Sequence, residues 1–233
     1  PELARALRQV VPAASGDEGR PVLTGVLWSL RDGELRLVAT DSYRLALRDL
    51  AVTAGAAGEA VVPGRALAEF ARHLNGDEEA SIWVGGTQGG FEVGRTRMVT
   101  RLIEGKFPDY RQLIPDAYPH RLVADRDQLA EALERMALVA KANTPVKVHL
   151  DAEVRLTATQ AGVADASETV DGVAYDGDPM VVGFNPRYLI EGLRSLDDGK
   201  AVLELVDPGR PGRLRADGHQ EFTYVLMPVR LWT

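Results

Sequence analysis

The sequence predicts an α+β fold made of two repeated domains, and three observations support that prediction. Segments of the first half recur in the same order in the second: Glu34–Thr40 (ELRLVAT) resembles Glu153–Thr159 (EVRLTAT), and Leu3–Leu7 (LARAL) resembles Leu129–Leu133 (LAEAL). The matches lie about 120 residues apart, far beyond the ~20–50 residues of a solenoid repeat, which indicates duplicated whole domains. In both halves, segments with the hydrophobic period of a helix, near 3.6 residues, alternate with segments of period two, as in strands. We place the domains at residues 1–118 and 119–233.

Length and composition are those of an ordinary globular protein. The hydrophobic fraction is 45% and the charged fraction 26%, both close to the average. No apolar run approaches the ~18 residues of a membrane helix, and no signal peptide is recognisable. With no cysteine there is neither a disulfide nor thiolate chemistry, which is consistent with a cytosolic protein. The chain begins at Pro1 and not at methionine, so we expect residues upstream in the parent protein.

Four segments have the hydrophobic spacing of amphipathic helices. In the first, Leu3, Leu7 and Val10 recur at a period near 3.6 and form one apolar face. The fourth begins at Asn185-Pro186, a capping residue followed by the residue best tolerated in the first helical turn. We interpret the large apolar side chains of these faces as core. The predicted helices are 2–14, 64–75, 126–142 and 185–195.

The segments between the helices alternate apolar and polar residues, as strands do. Asp32-Gly33 is a strong hairpin signal. The glycine-rich stretch 85–90 lies between two strands and does not open a helix, so we predict a hairpin and not a phosphate-binding loop. The proline-containing stretch 107–122 is predicted to connect the two halves. The predicted strands are 22–30, 34–45, 81–84, 91–103, 146–150, 154–159, 162–170, 181–184, 201–206 and 221–229.

The net charge of −7 argues by itself against a nucleic-acid partner, but the charge is unevenly distributed. The predicted helices carry nine arginine and lysine residues against six aspartates and glutamates, so strands and loops hold the acidic excess. Mildly basic helices suit a partner that carries phosphates, although a random scatter of surface charge also produces such a split.

No catalytic or metal-binding motif is present in the sequence. The four histidines are scattered without ligand spacing, and there is no cysteine to join them. Neither a nucleophile elbow nor a Walker loop occurs. Asp41 and Asp109 belong to tyrosine-containing turns, where a turn-stabilising aspartate is commoner than a general base. We therefore predict a binding or scaffolding protein that is not an enzyme, with no catalytic residue, metal or cofactor.

Three parts of the sequence carry a family resemblance: Arg20–Leu27 (RPVLTGVL) with Ala39–Ala46 (ATDSYRLA), Gly105–Arg111 (GKFPDYR), and Tyr224–Leu231 (YVLMPVRL). In this combination the chain resembles the bacterial sliding clamp family, the beta subunit of DNA polymerase III, and most closely its actinobacterial members. The resemblance covers nearly the whole chain, but only the second and third of the family's three domains. It implies a DNA clamp fold in each half, with helices packed on one face of antiparallel sheets.

The resemblance implies an accessory, non-enzymatic processivity factor of DNA replication. In the family, two three-domain subunits close a ring around duplex DNA, with helices inside and sheets outside. Contacts to the phosphate backbone without reading of bases would be weak and salt-dependent. The implied partners are duplex DNA, polymerase, clamp-loader and repair proteins and further copies of the chain, in the cytoplasm at the nucleoid and away from membranes. The implied DNA-facing residues are Arg5, Arg8, Arg65, Arg72, Arg187 and Arg194.

The family also binds short extended peptides, containing glutamine and hydrophobic residues, in a pocket between the second and third domains. Apolar walls with a few polar groups are typical of such a pocket. Some of its residues are equally expected in the core, whereas Tyr43 and Arg44 after a Thr-Asp turn are harder to explain in that way. Position by position, the implied lining is Leu23, Thr40, Ser42, Tyr43, Arg44, Leu45, Pro108, Leu113, Tyr188, Val225, Met227, Pro228, Val229, Arg230 and Leu231.

Departures from the family keep a second interpretation open. Without the family's first domain the usual contact between first and third domains cannot form, so we expect a monomer or weak dimer. Gln112 stands where many clamps have a basic residue, Arg20-Pro21-Val22 lacks DNA-contacting aromatics, and Trp232-Thr233 extend past the family's usual end and could cover the pocket. The alternative is a clamp-fold module of a larger regulator, for example behind an N-terminal MerR-type helix-turn-helix, acting as an interaction or DNA-associated domain.

Overall fold

The computed structural model describes residues 1–53, 56–140, 144–160 and 162–231. The chain forms two compact units, Pro1–Asp109 and Tyr110–Thr233. The predicted boundary at 118/119 falls later, because the stretch from Tyr110 onward, interpreted as a connector, is part of unit 2. None of the described helices is long and apolar enough to cross a membrane.

Unit 1 combines two helices with two antiparallel sheets. Four strands pair in the order β3-β2-β1-β4, and three more pair in the order β5-β6-β7. The helices pack against each other and against the first four strands. The elements are α1 Glu2–Val10, β1 Gly25–Arg31, β2 Glu34–Thr40, β3 Arg44–Ala51, β4 Gly58–Pro63, α2 Gly64–His73, β5 Ala80–Gly85, β6 Gln88–Val93 and β7 Thr96–Arg101.

Unit 2 repeats this plan with additional strands. One sheet has the order β12-β8-β14-β15-β16 and the other β11-β10-β9-β13, all antiparallel. The elements are β8 His120–Asp125, α3 Arg126–Ala137, β9 Val146–Leu150, β10 Arg155–Gln160, β11 Ala164–Thr169, β12 Ala174–Asp176, β13 Met180–Phe184, α4 Pro186–Ser195, β14 Lys200–Leu205, β15 Gly212–Ala216 and β16 Phe222–Leu226. Helices with antiparallel sheets in each unit make the α+β class that the sequence predicts.

The four predicted helices are present, but three end earlier than predicted. The first passes at Val10 into a 3₁₀ turn, Val11–Ala13, because Pro12 has no N–H to continue the α-helical ladder. The second ends at His73 and the third at Ala137. Lys141, counted in the predicted third helix, lies outside the described residues.

Both helices of unit 2 begin at a capping side chain, which confirms the prediction for the fourth helix. Asp125 Oδ1 accepts hydrogen bonds from the amides of Asp127 and Gln128, at 3.1 and 3.0 Å. Asn185 Oδ1 accepts from the amide of Arg187 at 3.0 Å. Each cap satisfies amides that have no partner within the helix, and so fixes where the helix begins.

Two predicted strands are each two strands in the structure. The segment 34–45 is broken by the turn at residues 41–43, and 91–103 is broken between Val93 and Thr96. The first turn contains neither glycine nor proline, and the second is marked only by Gly94. The strands β4, β8, β12 and β15 were not predicted at all.

Both predicted hairpins are confirmed. Arg31 pairs with Glu34 across Asp32-Gly33, whose φ angles of 50° and 79° are those of a tight hairpin turn. In the glycine-rich stretch the turn is only Gly86-Thr87, and Gly90 lies within β6. A Cβ on Gly90 would collide with the Trp83 indole, so glycine is needed there because the ring lies directly over the backbone.

Each unit encloses its own core. In unit 1, Phe70 of α2 and Phe91 of β6 are fully buried with ring centroids 4.9 Å apart, and Trp28 meets Phe91 edge-on at 5.7 Å. In unit 2, α4 lies close to β16. A Cβ on Gly192 would come within 2.7 Å of the Tyr224 ring, so only glycine allows this approach. The helices are thereby fixed on their sheets, with their outer faces exposed.

Candidate peptide-binding and DNA-facing surfaces

The turn between β2 and β3 is held by its own side chains. The Thr40 hydroxyl donates to the carbonyl oxygen of Arg44 at 2.6 Å and accepts from the Ser42 amide at 3.2 Å. Asp41 Oδ1 accepts from the amides of Tyr43 and Arg44, at 2.9 and 3.0 Å. Asp41 is therefore a turn-stabilising residue, as predicted, and the turn is rigid.

Arg44 lies inside this turn and is only 7% exposed. Its Nε donates to Asp41 Oδ2 at 3.1 Å, and its Nη2 donates to the carbonyl oxygen of Pro12 at 2.6 Å. The guanidinium thus ties the turn to the segment that follows α1. In the candidate site, Arg44 therefore holds its neighbours in position. The family resemblance had placed it in the pocket lining, where a ligand would contact it.

Ser42 and Tyr43 form the exposed tip of the turn. Ser42 has a φ of 80°, a left-handed conformation that is unfavourable for residues other than glycine and that often marks functional positions. Arg20 Nη1 donates to the Ser42 hydroxyl at 2.9 Å and supports this conformation. Tyr43 is 60% exposed, so the turn presents an aromatic ring to solvent on a fixed backbone.

The other predicted lining residues of unit 1 divide between core and surface. Leu23 and Leu45 are 8% and 1% exposed and belong to the core. Pro108 is exposed. Within unit 1, the side chains available to a ligand are therefore those of Ser42, Tyr43 and Pro108.

In unit 2, the segment after β16 crosses β13 and completes a second candidate surface. The Val229 amide donates to the Gly183 carbonyl oxygen at 2.8 Å, in an isolated antiparallel bridge. A Cβ on Gly183 would lie 2.7 Å from Leu231 Cδ2 and 3.0 Å from the Val229 carbonyl oxygen. Glycine at this position therefore lets the tail, residues 227–231, lie on the strand.

The tail presents partly exposed apolar side chains. Met227 is 39% exposed, while Pro228, Val229 and Leu231 are half-buried. Tyr188 on α4 is half-buried, and its carbonyl oxygen accepts the Tyr224 hydroxyl at 3.0 Å. Partly exposed apolar side chains on a fixed backbone suit an extended peptide, whose own apolar side chains can be buried against them.

The remaining predicted residues of unit 2 have varied environments. Val225 is 3% exposed and belongs to the core, whereas Leu113 is 39% exposed and Arg230 is exposed. Trp232 and Thr233, which we expected to be able to cover the pocket, lie outside the described residues.

The six predicted DNA-facing arginines all lie on the helices, and most are ion-paired. Arg8 is exposed and has no ion pair in the part of the chain that the structure describes. Arg194 donates to Asp127 Oδ1 at 2.9 Å and to Glu134 Oε1 at 3.1 Å. The other pairs are Arg5–Glu2 at 3.9 Å, Arg65–Glu18 at 2.8 Å, Arg72–Glu69 at 3.1 Å and Arg187–Glu191 at 2.8 Å.

The helix pair of unit 1 carries a larger positive surplus than the helix pair of unit 2. Helices α1 and α2 carry four arginines and two glutamates. Helices α3 and α4 carry four arginines and four carboxylates. A hydrogen bond from Arg126 lowers the pKa of Asp127, so this carboxylate stays ionised and continues to neutralise its arginine neighbours. The positive surplus of the helices therefore lies on α1 and α2.

One histidine lies near carboxylates, which sequence spacing did not show. Ligand atoms of Asp197, His219 and Glu221 lie within 4.8 Å of one another. His219 Nδ1 is 3.0 Å from Glu221 Oε1, and that hydrogen bond accounts for the arrangement. Exposed groups of this kind commonly occur without a metal, and we assign none here.

Two models of one family match nearly the whole chain. The central domain of the DNA polymerase III beta subunit matches residues 1–109, and the C-terminal domain of that subunit matches residues 111–230. The two matched regions meet where the structure divides into its two units.

Curated relatives agree with these matches. A protein of Staphylococcus aureus named beta sliding clamp is 32% identical over 235 residues, which are 99% of this chain and 62% of the relative. One of Streptomyces coelicolor with the same name is 32% identical over 244 residues, covering 98% of this chain and 64% of the relative. The chain thus spans somewhat less than two thirds of the length of these relatives.

Solved structures give the same result for the fold. The beta subunit of the Streptococcus pyogenes DNA polymerase superposes with a TM-score of 0.93 at 29% identity, over 98% of this chain and 64% of that one. The Bacillus subtilis sliding clamp superposes with a TM-score of 0.93 at 27% identity, over 99% and 62%. With both halves matched in sequence and fold, the chain belongs to the DNA polymerase III beta subunit family and carries that family's central and C-terminal domains.

Proposed function

We propose that this chain is part of a sliding clamp of DNA replication: a non-catalytic processivity factor that encircles duplex DNA and binds polymerase, clamp-loader and repair proteins through short peptide motifs. The observation that carries the proposal is the match of both units to the central and C-terminal domains of the family. A cytoplasmic location at the nucleoid follows from that role. Clamp-named relatives favour this interpretation over a module of a transcriptional regulator.

The exposed arginines on the helix pairs support contact with the phosphate backbone. Cations on a helix surface attract phosphates without contacting the bases. Binding is therefore weak and decreases as the salt concentration rises. The surplus of arginine over glutamate on α1 and α2 assigns most of this attraction to unit 1. Movement along DNA requires such weak contacts, because a strong site would hold the protein in one place.

The Tyr43 turn and the tail support peptide binding. Tyr43 and Met227 are 60% and 39% exposed, and hydrogen bonds hold the backbone at both places. A fixed apolar surface pays little ordering cost when an extended peptide binds. We propose that each unit offers hydrophobic contacts to such a motif, through Tyr43 and Pro108 on unit 1 and through Tyr188 and Met227 on unit 2.

Fluorescence anisotropy with labelled duplex DNA and a labelled motif peptide tests both activities. We expect DNA binding that is independent of sequence and decreases steeply between about 50 and 200 mM salt. We expect the glutamine-and-hydrophobic peptide to bind with micromolar to millimolar affinity. The absence of peptide binding at millimolar concentration would contradict the peptide site.

Plasmid topology separates the clamp from the regulator. A protein that encircles DNA is retained on circular plasmid and lost when the plasmid is linearised, whereas a module bound to the side of the duplex is indifferent to linearisation. For residues 1–233 alone we expect a monomer or weak dimer in sedimentation, so the plasmid test is made with the full-length protein.

A further inference from the structure

The repeated sheets of the two units differ in charge along one row of equivalent residues. The recurring segments ELRLVAT and EVRLTAT place Arg36 of β2 and Arg155 of β10 at the same position. In each unit, a row of directly paired residues crosses four antiparallel strands through this arginine. The row is Glu59, Ser29, Arg36 and Asp49 in unit 1, and Val181, His149, Arg155 and Thr169 in unit 2.

In unit 1 the arginine of this row is neutralised. Arg36 Nε and Nη2 donate to the two carboxylate oxygens of Asp49 at 2.6 and 2.8 Å, and Glu34 is a further ion-pair partner at 3.6 Å. The Ser29 hydroxyl donates to Glu59 Oε1 at 3.0 Å. The side chains of Arg36 and Asp49 are 34% and 23% exposed, so these are surface groups that satisfy one another.

In unit 2 the corresponding arginine has no carboxylate beside it in the row. The two positions that bear carboxylates in unit 1 are occupied by Thr169 and Val181. Arg155 is exposed and forms no ion pair with any residue that the structure describes. The same holds within the described ranges for Lys147, which lies on β9 two residues before His149 and is also exposed. Two cations on this surface are therefore not neutralised.

His149 is close enough to both cations to be affected by their charge. Its Nε2 is 2.9 Å from the Thr157 hydroxyl oxygen. Burial lowers the pKa of His149, and the charges of Arg155 and Lys147 lower it further. The imidazole is therefore neutral at neutral pH, and the combined positive potential of the two cations attracts an anion to this place.

The side chains of Lys147 and Arg155 point away from the helices of unit 2. Val148 and Leu156 alternate with them along β9 and β10 and are 2% and 0% exposed, on the side where α3 packs against these strands. Successive residues of a strand point to opposite faces of the sheet. These cations are consequently separate from the helix arginines, for which duplex DNA is the proposed partner.

The tail, residues 227–231, reaches the same face of the sheet. Gly183 is paired with Lys147, and a Cβ on Gly183 would meet Leu231. Directly paired residues point to the same side of a sheet, so Leu231 lies on the side toward which Lys147 points. Val181, which is 38% exposed, adds an apolar side chain next to His149. An apolar surface and two cations thus adjoin each other within unit 2.

We propose that the surface formed by Lys147, His149 and Arg155, here called the basic face, binds acidic residues that flank the hydrophobic motif of a partner peptide. The inference rests on the peptide binding proposed for the tail, and it assigns aspartate or glutamate to the residues next to the motif. A guanidinium donates two parallel hydrogen bonds to a carboxylate. A carboxylate of the partner takes on Arg155 the place that Asp49 has on Arg36.

Paired peptides test the basic face by fluorescence anisotropy with residues 1–233. Each peptide carries the glutamine-and-hydrophobic motif, and a run of glutamates either precedes or follows it. In the matched peptides the glutamates are replaced by glutamines. We expect a glutamate peptide to bind about three- to tenfold more tightly than its glutamine counterpart at low salt, because surface ion pairs each contribute little. The gain should decrease as the salt concentration rises.

Variants of the protein locate the effect. Arg155→Gln should reduce the ratio of the two affinities toward one. The matched control Lys200→Gln removes the same charge from an exposed position of β14, in the other sheet of unit 2, and should keep the ratio. In the Lys147→Glu/Arg155→Glu variant the preference should reverse, so that a peptide with a run of lysines binds more tightly than the glutamate peptide. A loss of folding cannot produce such an exchange of preference.

The peptide pairs also separate this inference from the peptide site on which it rests. Equal affinities of the glutamate and glutamine peptides would overturn the role of the basic face and leave the peptide site standing. Absence of binding for every peptide would overturn both. Arg155→Gln could instead reduce the salt slope for duplex DNA by about one without changing the peptide ratio. That result would assign the basic face to phosphate and overturn the inference as well.

Discussion

Replacing Arg44 by alanine tests whether the Tyr43 turn is held from inside. Arg44 is 7% and Asp41 13% exposed in their side chains, and they are joined at 3.1 Å. Removing one member of a buried ion pair typically costs about 3–5 kcal/mol. The Pro12 carbonyl also loses a 2.6 Å hydrogen bond. We therefore expect unit 1 to lose about 3–5 kcal/mol of unfolding free energy, a large part of a typical total of ~5–15 kcal/mol.

Urea unfolding followed by tryptophan fluorescence measures this loss, because Trp28 is buried in unit 1 and Trp83 lies on its β5. Arg44→Lys should recover only part of the stability, since an ammonium cannot reproduce the two directed contacts of the guanidinium. Tyr43→Ala is the matched comparison. Because Tyr43 is 60% exposed, we expect at most about 0.5 kcal/mol of destabilisation, together with weaker binding of the motif peptide. A fully stable Arg44→Ala protein would refute the structural role given to this arginine.

Three further predictions address the remaining surfaces. Arg8→Ala should reduce the slope of log affinity against log salt for duplex DNA by about one. Arg194→Ala should change that slope little, because Arg194 is already paired with carboxylates. Equal effects of the two variants in salt titrations would contradict the charge difference between the helix pairs. Met227→Ala should weaken the motif peptide by about three- to tenfold in anisotropy titrations, without altering stability, while Leu138→Ala at an 87% exposed position should leave binding unchanged. Burial raises the pKa of Glu204, but hydrogen bonds from Arg213 and Arg215 outweigh burial and leave that pKa below its ordinary value of 4.5. Its contribution to stability is therefore complete above pH 4.5 and is lost as the pH falls through the lower folded-state pKa, so urea midpoints of the Glu204→Gln variant should depend less on pH in that range.

The sequence predicted those elements whose boundaries are set by local chemistry. Asp32-Gly33 and Asn185-Pro186 have few alternatives to a hairpin and a helix start, and the structure confirms both. Helices were predicted because their apolar faces repeat every three to four residues. The helix ends were less predictable, because a 3₁₀ turn such as Val11–Ala13 continues the same side-chain pattern.

Elements that depend on tertiary contacts were not predictable in this way. Strand β8 begins within the stretch 107–122 that was interpreted as a connector, and its apolar residues Leu122 and Ala124 are buried beside β14. The turn between β2 and β3 contains no glycine or proline, and the positive φ of Ser42 is supported by Arg20, distant in sequence. The interior role of Arg44 likewise depends on a carbonyl group of Pro12. Such contacts leave no periodic signal in the sequence.

The bridge between Val229 and Gly183 attaches the last described residues of the chain to β13 as a segment that can open separately from the core. Its attachment includes a backbone hydrogen bond and the packing of Leu231 against a residue without a side chain. Opening a local segment requires less free energy than global unfolding, and these contacts keep the attached state the dominant one. A peptide that needs the attached state binds with an apparent affinity set by the fraction of molecules in that state. A methyl group at position 183 would shift this equilibrium toward detachment, and the affinity of the surface is therefore adjustable at a residue that no ligand touches.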